Sequence, residues 1–212
     1  MKYLLHPAYI PNIVTFAVIA QKEVYWEYMD NYQKQTYRNR AYVCADRGKH
    51  ILNIPIVHLG KNKRKQKYKD IKIDNSYPWQ RQHWRTLETA YRSSPFFEFY
   101  EDEIQPLYTT KFESLLEFNL KTMEVVCDCL QIEIPKEKTT EYNTKLEEVD
   151  VVDVRFLINA KKEPNYTAKE YIQVFSDRNN FIPNTSILDL LFNEGTNALK
   201  YLKDIKLDFL DA

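Results

Sequence analysis

A chain of 212 residues whose 30 basic and 30 acidic side chains cancel has room for one sizeable core and no global field drawing it to nucleic acid or an anionic membrane. A hydrophobic share of 44% with only three glycines excludes a disordered or low-complexity chain. No apolar run approaches the roughly 20 residues that span a bilayer, and Met1–Pro7 lacks the apolar stretch of a signal peptide. A cytoplasmic protein without membrane insertion is therefore expected.

Tyr3-Leu4-Leu5 reads as a short buried strand. Pro7 and Pro11 punctuate the loop after it, and Asn12 is the start signal for a helix over Ile13–Ala20. Val24–Trp26 gives a second strand, so the chain opens with a parallel βαβ unit and an expected right-handed crossover. Tyr37–Val43 and Ile51–Val57 read as strands joined by a glycine-bearing turn at Asp46–Lys49. The run Lys61, Lys63, Arg64, Lys65, Lys67 and Lys69 reads as a mobile solvated loop, since an otherwise neutral chain gives a nucleic-acid patch little support.

Ile71–Ile73 resumes a strand. Asp74-Asn75-Ser76 with Pro78 starts a helix from Trp79 to Arg92; Pro95 ends it, and Phe96–Tyr100 reads as another strand. Between Ile104 and Leu130, residues Leu107, Phe112, Leu115, Leu116, Leu120, Met123, Val126 and Leu130 recur at the spacing of one or two amphipathic helices. Pro135–Val149 is polar and charged and reads as a flexible connector. Val151–Ile158 and Tyr171–Phe175 read as late strands, Ser186–Phe192 as a helix closed by Gly195, and Ala198–Leu202 as a last helix. The expectation is one α/β domain over residues 1–212, with a mostly parallel or mixed sheet flanked by helices.

Cys44, Cys127 and Cys129 are an odd number and suit neither a disulfide framework nor a zinc knuckle. HExxH spacing, a P-loop and a nucleophile elbow are missing too. No metal, cofactor or covalent nucleophile is expected.

His6 stands where the first strand meets the first helix, and open α/β sheets gather ligands at the carboxyl ends of strands. A histidine there can act as a general base or hold a phosphate, or simply bond the loop backbone. Tyr9 occupies the place where a nucleotidylyltransferase has its second histidine, which disfavours adenylyl transfer and leaves Tyr9 as a substrate contact. Gln33 opens a polar segment in which Lys34, Arg38 and Arg40 supply three cations. Strand alternation would put Arg38 and Arg40 on one face and Asn39 on the other; the group is either a phosphate clamp or a solvated edge. His83 and Arg85 can reach a pocket from the helix that begins at Trp79, although such a helix also simply packs. Ser186 and Asp189 have capping-box spacing, and Asn184 precedes them in a loop.

The stretches HPAYIPNIVTFAVIAQ, YQKQTYRNR, LNIPIV, IKIDNSYPWQRQHWRTLETAY and YIQVFSDRNNFIPNTSILDLLFNEG resemble, in order, the motifs of the WbqC-like family of bacterial polysaccharide gene clusters. The resemblance implies glycyl or acyl transfer to an amino sugar. The implied ligand is an anionic small molecule of the sugar-nucleotide class, with no nucleic-acid partner and an undetermined oligomeric state. His6 would be the catalytic base, with Tyr9, Gln33, Lys34, Arg38, Asn39, Arg40, His83, Arg85 and Asn184 as substrate contacts. The alternative is a protein that binds such a ligand without turning it over.

Overall fold

The computed structural model describes residues 1–57, 66–144 and 150–210. Lys2–Leu5 (β1) leads through a loop into Ile13–Gln21 (α1) and then Val24–Trp26 (β2), which lies parallel to β1. Asn12 starts α1 as expected: its Oδ1 accepts from Thr15 N at 3.0 Å, while Asn184 Oδ1 accepts from Val14 N at 3.1 Å. Ile13 N donates to Thr185 O, so side chains and backbone of the protein itself take up the first-turn donors that a helix start leaves open. Residues Ile13–Ile19 are all buried, as befits a helix that is apolar all round.

Arg40–Ala45 (β3) and Gly48–Asn53 (β4) form an antiparallel hairpin, with Ala45 opposite Gly48. Gly48 takes φ +95°, a conformation that costs glycine little. Trp79–Tyr91 (α2), Phe97–Ile104 (α3), Pro106–Thr109 (α4) and Leu115–Leu130 (α5) follow. Val151–Asp153 (β5) returns to pair in parallel with β1, giving the sheet order β2-β1-β5. Ile187–Glu194 (α6) and Ala198–Asp204 (α7) close the chain over α1. The protein is thus α/β, opening with β1-α1-β2, and one contiguous core joins both chain ends to the helices between them. Among the described residues no helix is long and apolar enough to cross a membrane.

Several elements differ from expectation. Phe96–Tyr100 is not a strand: Phe97, Tyr100 and Ile104 share the buried face of α3, at the i, i+3, i+7 spacing of a helix. Tyr171–Phe175 is irregular. Its bonds run through side chains, Gln173 with the Ile182 backbone and Tyr171 with Asp189, instead of a ladder. Ile71–Ile73 makes isolated bridges only, and Val151–Ile158 turns into a 3-10 helix at Arg155–Ile158. The hairpin ladder begins at Arg40 rather than Tyr37. Of the expected connector, residues 137–139 pair alongside Trp26, while 145–149 lie outside the described residues. So does most of the basic run, residues 61–65; Lys67 and Lys69 are exposed. The capping box does not form, because Ser186 N donates to Tyr42 O and the buried Asp189 carboxylate accepts from Tyr171 and Gln173.

Gly195 ends α6 at φ +55°, and a Cβ there would meet the Phe96 ring at 2.5 Å. Gly195→Ala is expected to destabilise the fold by about 2 kcal/mol or more, read as a lowered urea midpoint; an unchanged midpoint would show that the α6–α3 contact yields freely.

Candidate functional site

Because β1, β2 and β5 all run the same way, their carboxyl ends lie side by side at one edge of the sheet. Each end delivers titratable side chains: His6 after β1, Glu27 and Asp30 after β2, and Asp153 with Arg155 at the end of β5. A cavity of about 780 Å³ opens over this edge, within the range of small-molecule sites. His6, Asp30, Gln33, Arg38, Tyr142 and Arg155 form its polar wall, and Phe156, Ile158 and Phe209 contribute apolar surface.

Asp30 is the hub. His6 Nε2 stands 3.0 Å from Asp30 Oδ2, and Arg38 Nη2 donates to the same oxygen at 2.5 Å. Arg38 is fully buried, with its guanidinium over the Tyr68 ring at 5.2 Å, and Asn119 fixes the Arg38 carbonyl. A second ion cluster lies beside the first: Arg155 donates to both Asp153 oxygens, at 2.9 and 2.6 Å, and to Glu27 at 3.3 Å. Glu27 is held by Thr139 at 2.9 Å. Arg155 is therefore saturated by carboxylates, whereas Arg38 keeps Nε and Nη1, and His6 keeps Nδ1, without a partner among the described residues.

These contacts set the protonation states. Burial drives the His6 pKa down to about 4, the charge of Arg38 adds to the fall, and Asp30 opposes it; the ring is neutral at pH 7. Burial alone would raise the Asp30 carboxyl, but the His6 hydrogen bond and the Arg38 charge outweigh it and hold it below the usual range. Among the described residues no group of acidic, histidine or cysteine side chains is arranged to hold a metal.

Of the residues singled out in the sequence, His6, Gln33 and Arg38 line this cavity, and the others do not. Lys34 is exposed outside the lining. Arg40 lies on the hairpin, its Nε donating to Asn53 Oδ1 at 3.1 Å, and Asn39 bonds the Ile54 carbonyl. The expected side-by-side arginines are thus separated, because Arg38 precedes the strand and its chain bonds elsewhere. Tyr9 and His83 are a core pair: Tyr9 Oη and His83 Nδ1 lie 2.8 Å apart, with Tyr108 Oη at 3.1 Å from the tyrosine. Burial pushes His83 down to about 4. Arg85 lines a separate shallow depression with His50 and Phe175, and Asn184 caps α1 in the left-handed conformation at φ +54°, which asparagine tolerates. The walls expected from α2 and the Asn184 loop are instead supplied by Tyr142 and the segment 155–165.

A model of the WbqC-like protein family matches residues 6–163. The chain belongs to the WbqC-like family. The matched stretch runs from His6 to Glu163 and contains Asp30, Arg38, Tyr142 and Arg155, so most of the cavity lining lies within the WbqC-like match. An uncharacterized protein of Mycobacterium tuberculosis (strain ATCC 25618 / H37Rv) is similar to this WbqC-like chain, 27% identical over 223 residues that cover 92% of this chain and 94% of the relative. No solved structure matches.

Sequence reading missed Asp30, Arg155 and Tyr142. The rule that singled out His6, a polar residue just past a buried strand, applies equally to Glu27 and Asp30 after β2. For Tyr142 the sequence carried no such signal.

Two outcomes follow. Arg38→Ala breaks a buried pair and should cost roughly 3–5 kcal/mol, whereas Arg40→Ala should stay within about 0.5 kcal/mol; equal urea midpoints for the two would contradict the placement. On acidification, His6 and His83 bind protons in the unfolded chain from about pH 6.5 but in the folded one only near 4. Their contribution to stability is therefore complete above about pH 6.5 and is lost as pH falls through 4. Unfolding near pH 5 should take up protons, and less so in His83→Gln; a stability flat across that window would refute it.

Proposed function

We propose that this protein is a cytoplasmic group transferase that places an acyl or glycyl group on the amine of an amino-sugar nucleotide during surface-polysaccharide synthesis. The observation that carries the reading is the neutral His6 ring held by Asp30 at the mouth of three parallel strands, beside a cavity large enough for such an acceptor. Once the ligand occupies the cavity, proximity supplies much of the rate. The acceptor nitrogen attacks the acyl carbon of the donor, the donor's leaving group departs with its bonding electrons, and His6 takes the proton released from nitrogen. It then returns that proton to the leaving group.

Charge on the ligand meets the ammonium of Lys162, which lines the cavity without an ion-pair partner among the described residues, and feels the buried positive charge of Arg38 behind the wall. The expected clamp of Lys34, Arg38 and Arg40 is replaced in this reading by Arg38 and Lys162. A second reading is a protein that binds this ligand and delivers it without turnover. The burial of His6, 3% exposed, favours it.

A melting screen of amino-sugar nucleotides, acyl thioesters and amino acids separates the readings, since a ligand at 100 times its Kd adds about 2.7 kcal/mol of stability. With a ligand in hand, His6→Gln is expected to keep its affinity within a few fold while turnover falls by ~10²-fold or more. Turnover unaffected by His6→Gln would sink the acid–base role, and affinity lost without any turnover in the native protein would establish the delivery reading.

A further inference from the structure

Asp30 Oδ2 is shared by two neighbours of unequal character. Arginine is a donor in every protonation state it reaches in proteins, and Arg38 Nη2 lies 2.5 Å from the oxygen. That contact holds the carboxyl as a carboxylate, which only accepts. His6 Nε2 at 3.0 Å from the same oxygen is bonded to it only if Nε2 carries a hydrogen. With a guanidinium already buried alongside, a second cation on the ring is disfavoured, so the other nitrogen, Nδ1, is left with a bare lone pair. It is buried and has no partner among the described residues, an arrangement that costs stability unless something fills it. The charged groups around the ring besides Asp30 and Arg38 are Arg155 and Asp153, and these two satisfy each other.

We propose that Asp30 is a positioning residue that locks neutral His6 in its Nε2–H tautomer, so that the ring keeps a single acceptor, Nδ1, and any group that reaches this nitrogen must present an N–H or O–H to it. An amine or hydroxyl bonds there; a carbonyl or ether oxygen in the same place sets two lone pairs against each other. The inference rests on the proposed base role of His6 for its catalytic meaning, while the tautomer itself is independent of any reaction.

The test is a two-bond proton–nitrogen correlation spectrum of the ¹⁵N-labelled full chain at pH 7, with His6 assigned by its disappearance in His6→Gln. Protonated Nε2 with unprotonated Nδ1 is expected. A ring protonated at Nδ1, alone or together with Nε2, overturns the proposal. In Asp30→Leu no acceptor faces Nε2, and the ring should populate the Nδ1–H tautomer; an unchanged pattern in a folded Asp30→Leu protein also overturns it. That variant strands Arg38 and can fail to fold, so Asp30→Glu, which retains a carboxylate, is measured beside the native protein and should keep the native pattern; a switch to Nδ1–H there counts against the proposal. If turnover is found, kcat in Asp30→Leu should fall by ~10²-fold with KM within a few fold, whereas equal loss in Asp30→Leu and Asp30→Glu points to a merely structural carboxylate. Absence of turnover in the native protein removes the transferase reading and leaves the tautomer result to stand or fall on its own spectrum.

Discussion

The parallel pairing of β1 on both of its edges organises everything else in this protein. A strand of four residues has little surface of its own to bury, yet Leu4 and Leu5 are fully covered, with β2, β5 and the 3-10 turn at Arg155–Ile158 packed against the strand. Parallel direction then does something an antiparallel sheet cannot: it brings three strand exits to one edge, where the chain must leave the sheet and its side chains are no longer bound by the alternation of the ladder. The polar residues that follow each exit meet there because of this direction.

Bringing charges together at a buried edge is expensive, and the arrangement of the two clusters shows how the cost is offset. Arg155 is paired on nearly every side, with two carboxylates, a backbone carbonyl and the ring of Tyr142, so it behaves as a structural pin between β5 and the segment after β2. Arg38 is served by a single carboxylate that it must share with His6. A buried ion pair that leaves donors unfilled does not maximise stability.

How much of this could be read in advance depended on how local the signal was. The βαβ opening was legible because Asn12 and the apolar run after it announce a helix and Val24–Trp26 a strand, each within a few residues. His6 was legible for the same reason. Arg38 stood out as one of three cations, but which of the three turns inward is decided by Asp30 and Tyr68, contacts the local pattern does not contain. Tyr9 and His83 lie away from the cavity, bonded to each other and, through Tyr9, to Tyr108; a buried hydroxyl–imidazole pair and a ligand site use the same residue types, so local sequence does not separate them. The helix at Phe97–Ile104 was read as a strand because a five-residue window cannot separate the two periods. The cavity wall at 155–165 is one turn of 3-10 helix followed by irregular chain, too short for periodicity to measure.

The sheet order also carries a kinetic consequence. β1 and β2 are neighbours in the chain, but the third strand is made well over a hundred residues later. At a synthesis rate of about 5–20 residues per second, β1 waits on the order of ten seconds with one edge unpaired. During that interval the emerging chain shows an apolar strand edge of the sort that seeks partners in other chains. Pairing so distant in sequence also slows refolding of the finished chain. The geometry that gathers the site at one edge of the sheet thus makes β1 the last strand to be completed, and the nascent protein is exposed to misassembly at a strand whose Leu4 and Leu5 the finished form covers fully.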